Sequence, residues 1–463
     1  MLRYFMMTVL AGFHVVASAQ IRLPDVLSDN MVLQRNDSAL LWGWASPGEK
    51  IRIQASWKST PDSAVSSGNS VWSVKIKTPD AGGPYTIKLR GWNTIELKNI
   101  LIGEVWVCSG QSNMEWSGNH GLPDIKAELA TCADDQLRFF QVPKITSNSP
   151  QDDVPGKWTS CDSTTLKPFS AIGYFFGKEL RKKLGVPVAL INSSWGGTPA
   201  EVWTPAELVT GAPQLAAAAA KQGVNGYRPH VAGKTYNAMI APLTNYRIAG
   251  AIWYQGESNT GTAATYKPLM ETMIGSWRKA WGIDFPFYYV QIAPFTYGAG
   301  TVKGALLRES QEQTLSYPKT GMVVISDLVD DTTNIHPINK HDVGLRLANL
   351  ALGDHYGKQG IAFKSPQFDR MEKKNNQIII HFRHADNGLM LKGAAKEWYI
   401  AGADKKFVPA DVKVKGNTVT VSGKGITQPE AVRFAFSNAG IGNIFSKEGL
   451  PVSPFRTDNW PEQ

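Results

Sequence analysis

Short apolar runs at residues 39–42, 50–55, 71–76 and 85–89 are separated by the turn clusters Pro47-Gly48, Ser67-Gly68 and Gly82-Gly83-Pro84. Strands at this spacing predict a small β-sandwich-like domain over residues 20–99. From 100 to 357 the pattern changes. Runs apolar at nearly every position (105–108, 187–192, 248–254, 287–292 and 322–326) alternate with stretches of helical period. Ile172, Phe175, Phe176 and Leu180 mark one such helix, with Gly185 as its stop, and 266–281 and 306–315 mark two more. A strand without polar positions needs cover on both faces, so this region predicts an α/β domain of three layers around a central parallel sheet. The alanine tract 216–220 fits a helix and carries no chemistry. Residues 358–463 return to short strands, at 377–383, 397–400, 412–414, 418–421 and 432–436, and predict a C-terminal β domain.

The N-terminus is read apart from the fold. Arg3, an apolar stretch at 6–16 and Ala17-Ser18-Ala19 before Gln20 have the layout of a secretory signal over residues 1–19. The rest of the chain is therefore expected outside the cytoplasm, periplasmic or extracellular, and no apolar run is long enough to span a bilayer. The formal charge is +9 without a dense Lys/Arg block, which leaves no footprint for nucleic acid. Three cysteines are too few for a disulfide scaffold. Cys108 reads as a core residue, and pairing of Cys132 with Cys161 stays open. No metal-binding spacing occurs, so nothing argues for a metal.

Four polar motifs fall where apolar runs end, which in a parallel sheet is where ligands bind. The first is Gly110-Gln111-Ser112-Asn113-Met114, with Ser112 as candidate nucleophile. It is not the nucleophile elbow of α/β-hydrolases, because Met114 stands where that motif needs a second glycine. The second is Trp195-Gly196-Gly197-Thr198. Glycine lets a backbone N–H approach a developing oxyanion, which makes Gly196 or Gly197 a candidate donor. The third, Trp253-Tyr254-Gln255-Gly256-Glu257-Ser258-Asn259, offers Gln255 and Asn259 as amide donors and Glu257 as an acid able to orient an imidazolium. The fourth is Ile335-His336-Pro337. Pro337 suits a helix start and would hold His336, the candidate general base, at a strand-to-helix turn. His341 reads as structural, and His120, His230 and His355 lack comparable placement. Trp195 and Trp253 are candidates to stack on a sugar ring, equally well read as core aromatics. Lys340 and Arg346 would either attract an acidic sugar or cover a solvated helix face.

These four motifs, in this order, closely resemble the sialate O-acetylesterase family of SGNH hydrolases. The resemblance covers the central domain and extends to its β flanks. It implies an SGNH-type fold and a serine esterase that removes acetyl groups from carbohydrates through an acetyl-enzyme on Ser112, without a cofactor. His336 would shuttle the proton, and backbone donors at Ser112 and Gly196, with Gln255 or Asn259, would hold the oxyanion. Many SGNH enzymes carry an aspartate three residues before the histidine, where this chain has Thr333. The orienting acid is then Glu257, by resemblance to related acetylesterases, or Asp331, or a bare Ser–His pair does the work. The expected substrate is an O-acetylated sialic acid, with acetylated plant polysaccharides such as xylan or xyloglucan as the alternative. A non-catalytic carbohydrate-binding protein and a lipid esterase or thioesterase are the rival classes.

Overall fold

A computed structural model describes residues 20–461 apart from 225 and 299. The expected signal segment lies outside the described residues.

The fold is built on one long strand, Thr94–Gly110. Its first half pairs antiparallel with Gly82–Arg90 and parallel with Val32–Gln34, inside the N-terminal β region. Its second half is the centre of the main sheet. The order there is Thr320–Val323, Phe287–Val290, Gly250–Tyr254, Thr94–Gly110, Val188–Ser194, Asp134–Gln141 and Trp158–Cys161. Neighbours run parallel until the last strand, which is antiparallel. The sheet is thus mixed at one edge rather than purely parallel. The two strands nearest that edge escape the apolar-run pattern because one opens Asp-Asp-Gln and the other is only four residues long.

Alternation along the long strand sends its side chains to two different cores. Val105 and Val107 join a cluster that also contains Leu41, Ile51 and Trp72 of the N-terminal strands. Trp106 and Cys108 face the helices Ala171–Leu184 and His341–Leu350 through Ile172, Phe176 and Leu347. The N-terminal region therefore shares both a strand and a core with the central sheet. The C-terminal strands form two four-stranded antiparallel sheets and one two-stranded sheet around their own core of Ile378, Ile380, Trp398 and Phe434. Arg456 ties this region to the helix Lys303–Gln313 through two hydrogen bonds to Glu309, at 2.8 and 2.9 Å.

Most predicted helix signals correspond to observed ones, but Pro337 starts no helix, and the next one begins only at His341. Ser170 caps Ala171–Leu184 by accepting from the Gly173 N–H, and Gly185 ends it in the left-handed conformation. The alanine tract lies in the helix Pro213–Ala219. All three cysteines are buried free thiols, and the Cys161 thiol donates to the Cys132 carbonyl at 3.1 Å.

Candidate active site

Three strand ends meet in register at the middle of the sheet. Gly110 is level with Ser194 on one side and Tyr254 on the other. The motifs two or three residues beyond each end are thereby brought to one rim, beside the point where the chain crosses from one half of the sheet to the other. Gly110 makes the junction tight. Its φ is +132°, and a Cβ there would sit 2.2 Å from the Tyr254 carbonyl oxygen. The Gln111 N–H donates to that carbonyl at 2.9 Å, and the Trp195 N–H donates to the Gly110 carbonyl at 3.0 Å. Ser112 then opens the short helix Ser112–Glu115.

His336 arrives from beyond the far-edge strand Thr320–Val323 and reaches back across the rim. Its Nε2 lies 2.8 Å from Ser112 Oγ, although 224 residues separate the two. Asn334 Oδ1 accepts from the His336 backbone N–H at 2.9 Å. The imidazole stacks on Trp116, centroids 4.3 Å apart and planes 17° from parallel, and His120 stacks on the same indole at 5.1 Å. Partial burial, with the positive charges of Lys340 and His120, pushes the imidazole down to about 4. It is therefore neutral at pH 7 and able to accept a proton.

The family of carbohydrate esterases described as sialic acid-specific acetylesterases matches residues 102–353, more than half of the chain. The chain belongs to that family. It is a carboxylic ester hydrolase of the carbohydrate acetylesterase class. Human sialate O-acetylesterase is 29% identical over 394 residues, spanning 76% of this chain and 74% of that protein. The mouse sialate O-acetylesterase is 27% identical over 419 residues, spanning 76% of each. Among solved structures, a carbohydrate acetylesterase from Xanthomonas citri superposes with a TM-score of 0.87 at 36% identity, covering 95% of this chain and all of that one.

Other residues expected at the esterase site lie elsewhere or are already engaged. Asp331 is exposed and accepts from the Thr333 backbone and hydroxyl at 2.8 and 2.6 Å, away from the imidazole. Glu257 is buried on the correct rim, but its Oε1 accepts from Asn113 Nδ2 at 2.7 Å and its Oε2 has no hydrogen-bond partner. Among the described residues, no carboxylate oxygen lies within ion-pairing distance of His336. Burial raises the Glu257 carboxyl above the ordinary carboxylate range.

The two side-chain amides expected as oxyanion donors are spent inside the protein. Gln255 Nε2 donates to the Thr198 carbonyl at 3.1 Å and to Asn259 Oδ1 at 2.7 Å, while Asn259 Nδ2 donates to Glu201 Oε2 at 2.9 Å. Both side chains are buried, and they brace the glycine turn from below instead of facing a ligand. Gly196 does stand beside Ser112, since a Cβ on it would lie 3.4 Å from Ser112 Cβ. Its N–H donates to Glu115, whose other carboxylate oxygen pairs with Lys144. Trp253 has no exposed face and packs among Trp203, Trp277 and Phe287, so it cannot receive a sugar. Trp195 is half-buried at the rim, its indole N–H donating to the Tyr227 carbonyl at 3.2 Å.

Four residues with no expected role complete the surroundings: Trp116, His120, Glu115 and Asn113. Trp116 and Glu115 follow Ser112 within one helical turn, a spacing that could have drawn notice. His120 also comes near the imidazole, stacked on the same Trp116 indole. Lys340 is neither a sugar attractor nor part of a solvated face. It is 1% exposed, with Nζ 2.6 Å from Asn113 Oδ1. Arg346 is held by both oxygens of Asp327 at 2.7 Å. Among the described residues, no three His, Cys, Asp or Glu side chains converge as metal ligands.

Proposed function

We propose that this esterase removes acetyl groups from sugar hydroxyls through an acetyl-enzyme on Ser112. The observation that carries the reading is the 2.8 Å contact between His336 Nε2 and Ser112 Oγ. A neutral imidazole at this distance takes the hydroxyl proton as Oγ adds to the acetyl carbonyl. The tetrahedral oxyanion is held by the backbone N–H groups of Ser112 and Gly196, the substrate oxygen replacing the Glu115 carboxylate at the latter. The imidazolium returns its proton to the sugar alkoxide as the ester C–O bond breaks. Water, deprotonated by the same imidazole, then releases acetate and regenerates Ser112.

Trp116 fixes the plane of the imidazole, a stack of the kind that contributes about 0.5–1.5 kcal/mol. Glu257 supports the histidine segment through Asn113. Trp195 supplies the aromatic surface for a sugar ring. O-acetylated sialic acid is the leading substrate, in line with the family described above. Acetylated plant polysaccharides such as xylan or xyloglucan are the second reading, compatible with the 36% identity to a Xanthomonas citri protein known only as a carbohydrate acetylesterase. Export directed by residues 1–19 completes the proposal, and the exported protein would begin at Gln20.

Ser112→Ala tests the mechanism. Acetate release from p-nitrophenyl acetate should fall by roughly six orders of magnitude in turnover, by analogy with other serine hydrolases. Near-normal release by the folded variant would overturn it. Parallel assays on acetylated sialic acid, xylan and xyloglucan decide the substrate.

A further inference from the structure

Asn113, the neighbour of Ser112, holds both ends of the segment that carries His336. Its Nδ2 donates to the Ile335 carbonyl at 3.1 Å, immediately before the histidine. Its Oδ1 accepts from Lys340 Nζ at 2.6 Å, four residues after it. One amide therefore joins the serine helix to the histidine segment at two points. An asparagine can hold two such partners only in one of its two flipped orientations. Two ionisable groups select that orientation: Lys340 demands an acceptor, and Glu257 Oε1 demands a donor, at 2.7 Å from Nδ2.

We propose that Lys340 is a positioning residue for the reaction, its buried ammonium locking Asn113 so that the amide clasps the His336 segment onto Ser112. The inference rests on the Ser112–His336 reading given above. A buried, desolvated cation with no role would cost the fold heavily, and the surroundings of Lys340 are arranged to keep it. Its Nζ lies 5.4 Å from the centre of the Trp116 ring, the same indole that supports the imidazole, and 5.9 Å from that of Tyr254. The acids facing it are Glu257 from the loop after Gly250–Tyr254, and Asp124, whose Oδ2 accepts from the Lys340 and His341 backbone N–H groups at 2.9 Å. The other cationic or titratable groups beside the imidazole are His120 and Lys340 itself. Burial draws the ammonium down to about 7, so the clasp also loses its charge at mildly alkaline pH.

The experiment is Lys340→Met in the full chain, with kcat and KM measured across pH on p-nitrophenyl acetate. Displacing the imidazole by about an ångström lowers kcat by roughly 10²-fold with KM nearly unchanged. Removing a positive charge beside His336 also lets the imidazole hold its proton more readily, so the acid limb moves to higher pH. Lys340→Met and Glu257→Gln act through the same amide, so the double variant should be little worse than the poorer single one. A kcat within threefold of wild type with the acid limb unmoved overturns the proposal, and so do additive losses. Should Lys340→Met not fold, the wild-type profile decides. kcat should decline as the pH rises through about 7, and a kcat flat from roughly pH 6 to 9 overturns the clasp. Activity surviving in Ser112→Ala would sink the underlying serine reading instead. A dead Ser112→Ala beside a silent Lys340→Met would sink the clasp alone.

Discussion

The pH dependence of turnover is the most direct test of the dyad, because it reads the environment of His336 without altering a residue. The general base must be neutral. Partial burial and the charges of Lys340 and His120 take its imidazole from 6.5 to about 4. At pH 5.5 a group titrating at 4 is about 97% neutral, whereas one titrating at 6.5 is only about 9% neutral. Lowering the pH from 7.5 to 5.5 should therefore cost no kcat/KM on the imidazole's account, where an ordinary histidine would cost roughly tenfold. The assay is acetate release from p-nitrophenyl acetate at saturating and limiting concentrations. An acid limb inflecting between 6 and 7 would refute the reasoning, since the imidazole would then be solvated and unopposed. Stability must be followed in parallel. A base with a lowered folded-state pKa favours the folded chain fully above 6.5, and that advantage is lost as the pH falls from 6.5 towards 4. The shift bounds the loss at about 3 kcal/mol, and solvent screening of this half-exposed ring makes it smaller. Activity and fold should thus fail over different pH ranges.

Three further outcomes are expected. Asp331→Asn should stay within about twofold of wild type in kcat. Glu257→Gln should lose roughly tenfold or more, because a charge-assisted hydrogen bond to Asn113 becomes a neutral one; equal effects would contradict this assignment. Trp253→Ala should lower unfolding stability by about 3–5 kcal/mol through a core cavity, with KM for an acetylated sugar unchanged. Denaturant titration and steady-state kinetics check the two halves, and a rise in KM alone would restore Trp253 to the substrate site. Glu115→Ala should raise kcat/KM on a small acetyl ester by up to roughly tenfold, since it frees the Gly196 N–H from a competing acceptor. A fall would mean that the carboxylate serves the reaction.

The central sheet was legible because its strands are apolar at every position, a signature that only two-sided burial explains. The rim was legible for a related reason, as polar motifs at the ends of such strands have one edge to occupy. Gly110, Ser194 and Tyr254 accordingly stand level across three strands. The two strands nearest one edge were not legible, since Asp134–Gln141 starts polar and exposed, and Trp158–Cys161 is too short to show a period.

The sequence by itself thus determined which residues reach the rim, because strand period and motif position are local properties of the chain. Which of those residues are free to act was decided only by tertiary contacts. Gln255 and Asn259 look like donors until their amides are found bonded to Thr198 and Glu201. Trp253 looks like a sugar platform until Trp203 and Trp277 close over it. Lys340 looks like a surface charge, yet it lies buried against an asparagine 227 positions away. Burial and hydrogen-bond partnership belong to pairs of distant residues, and no local pattern encodes them.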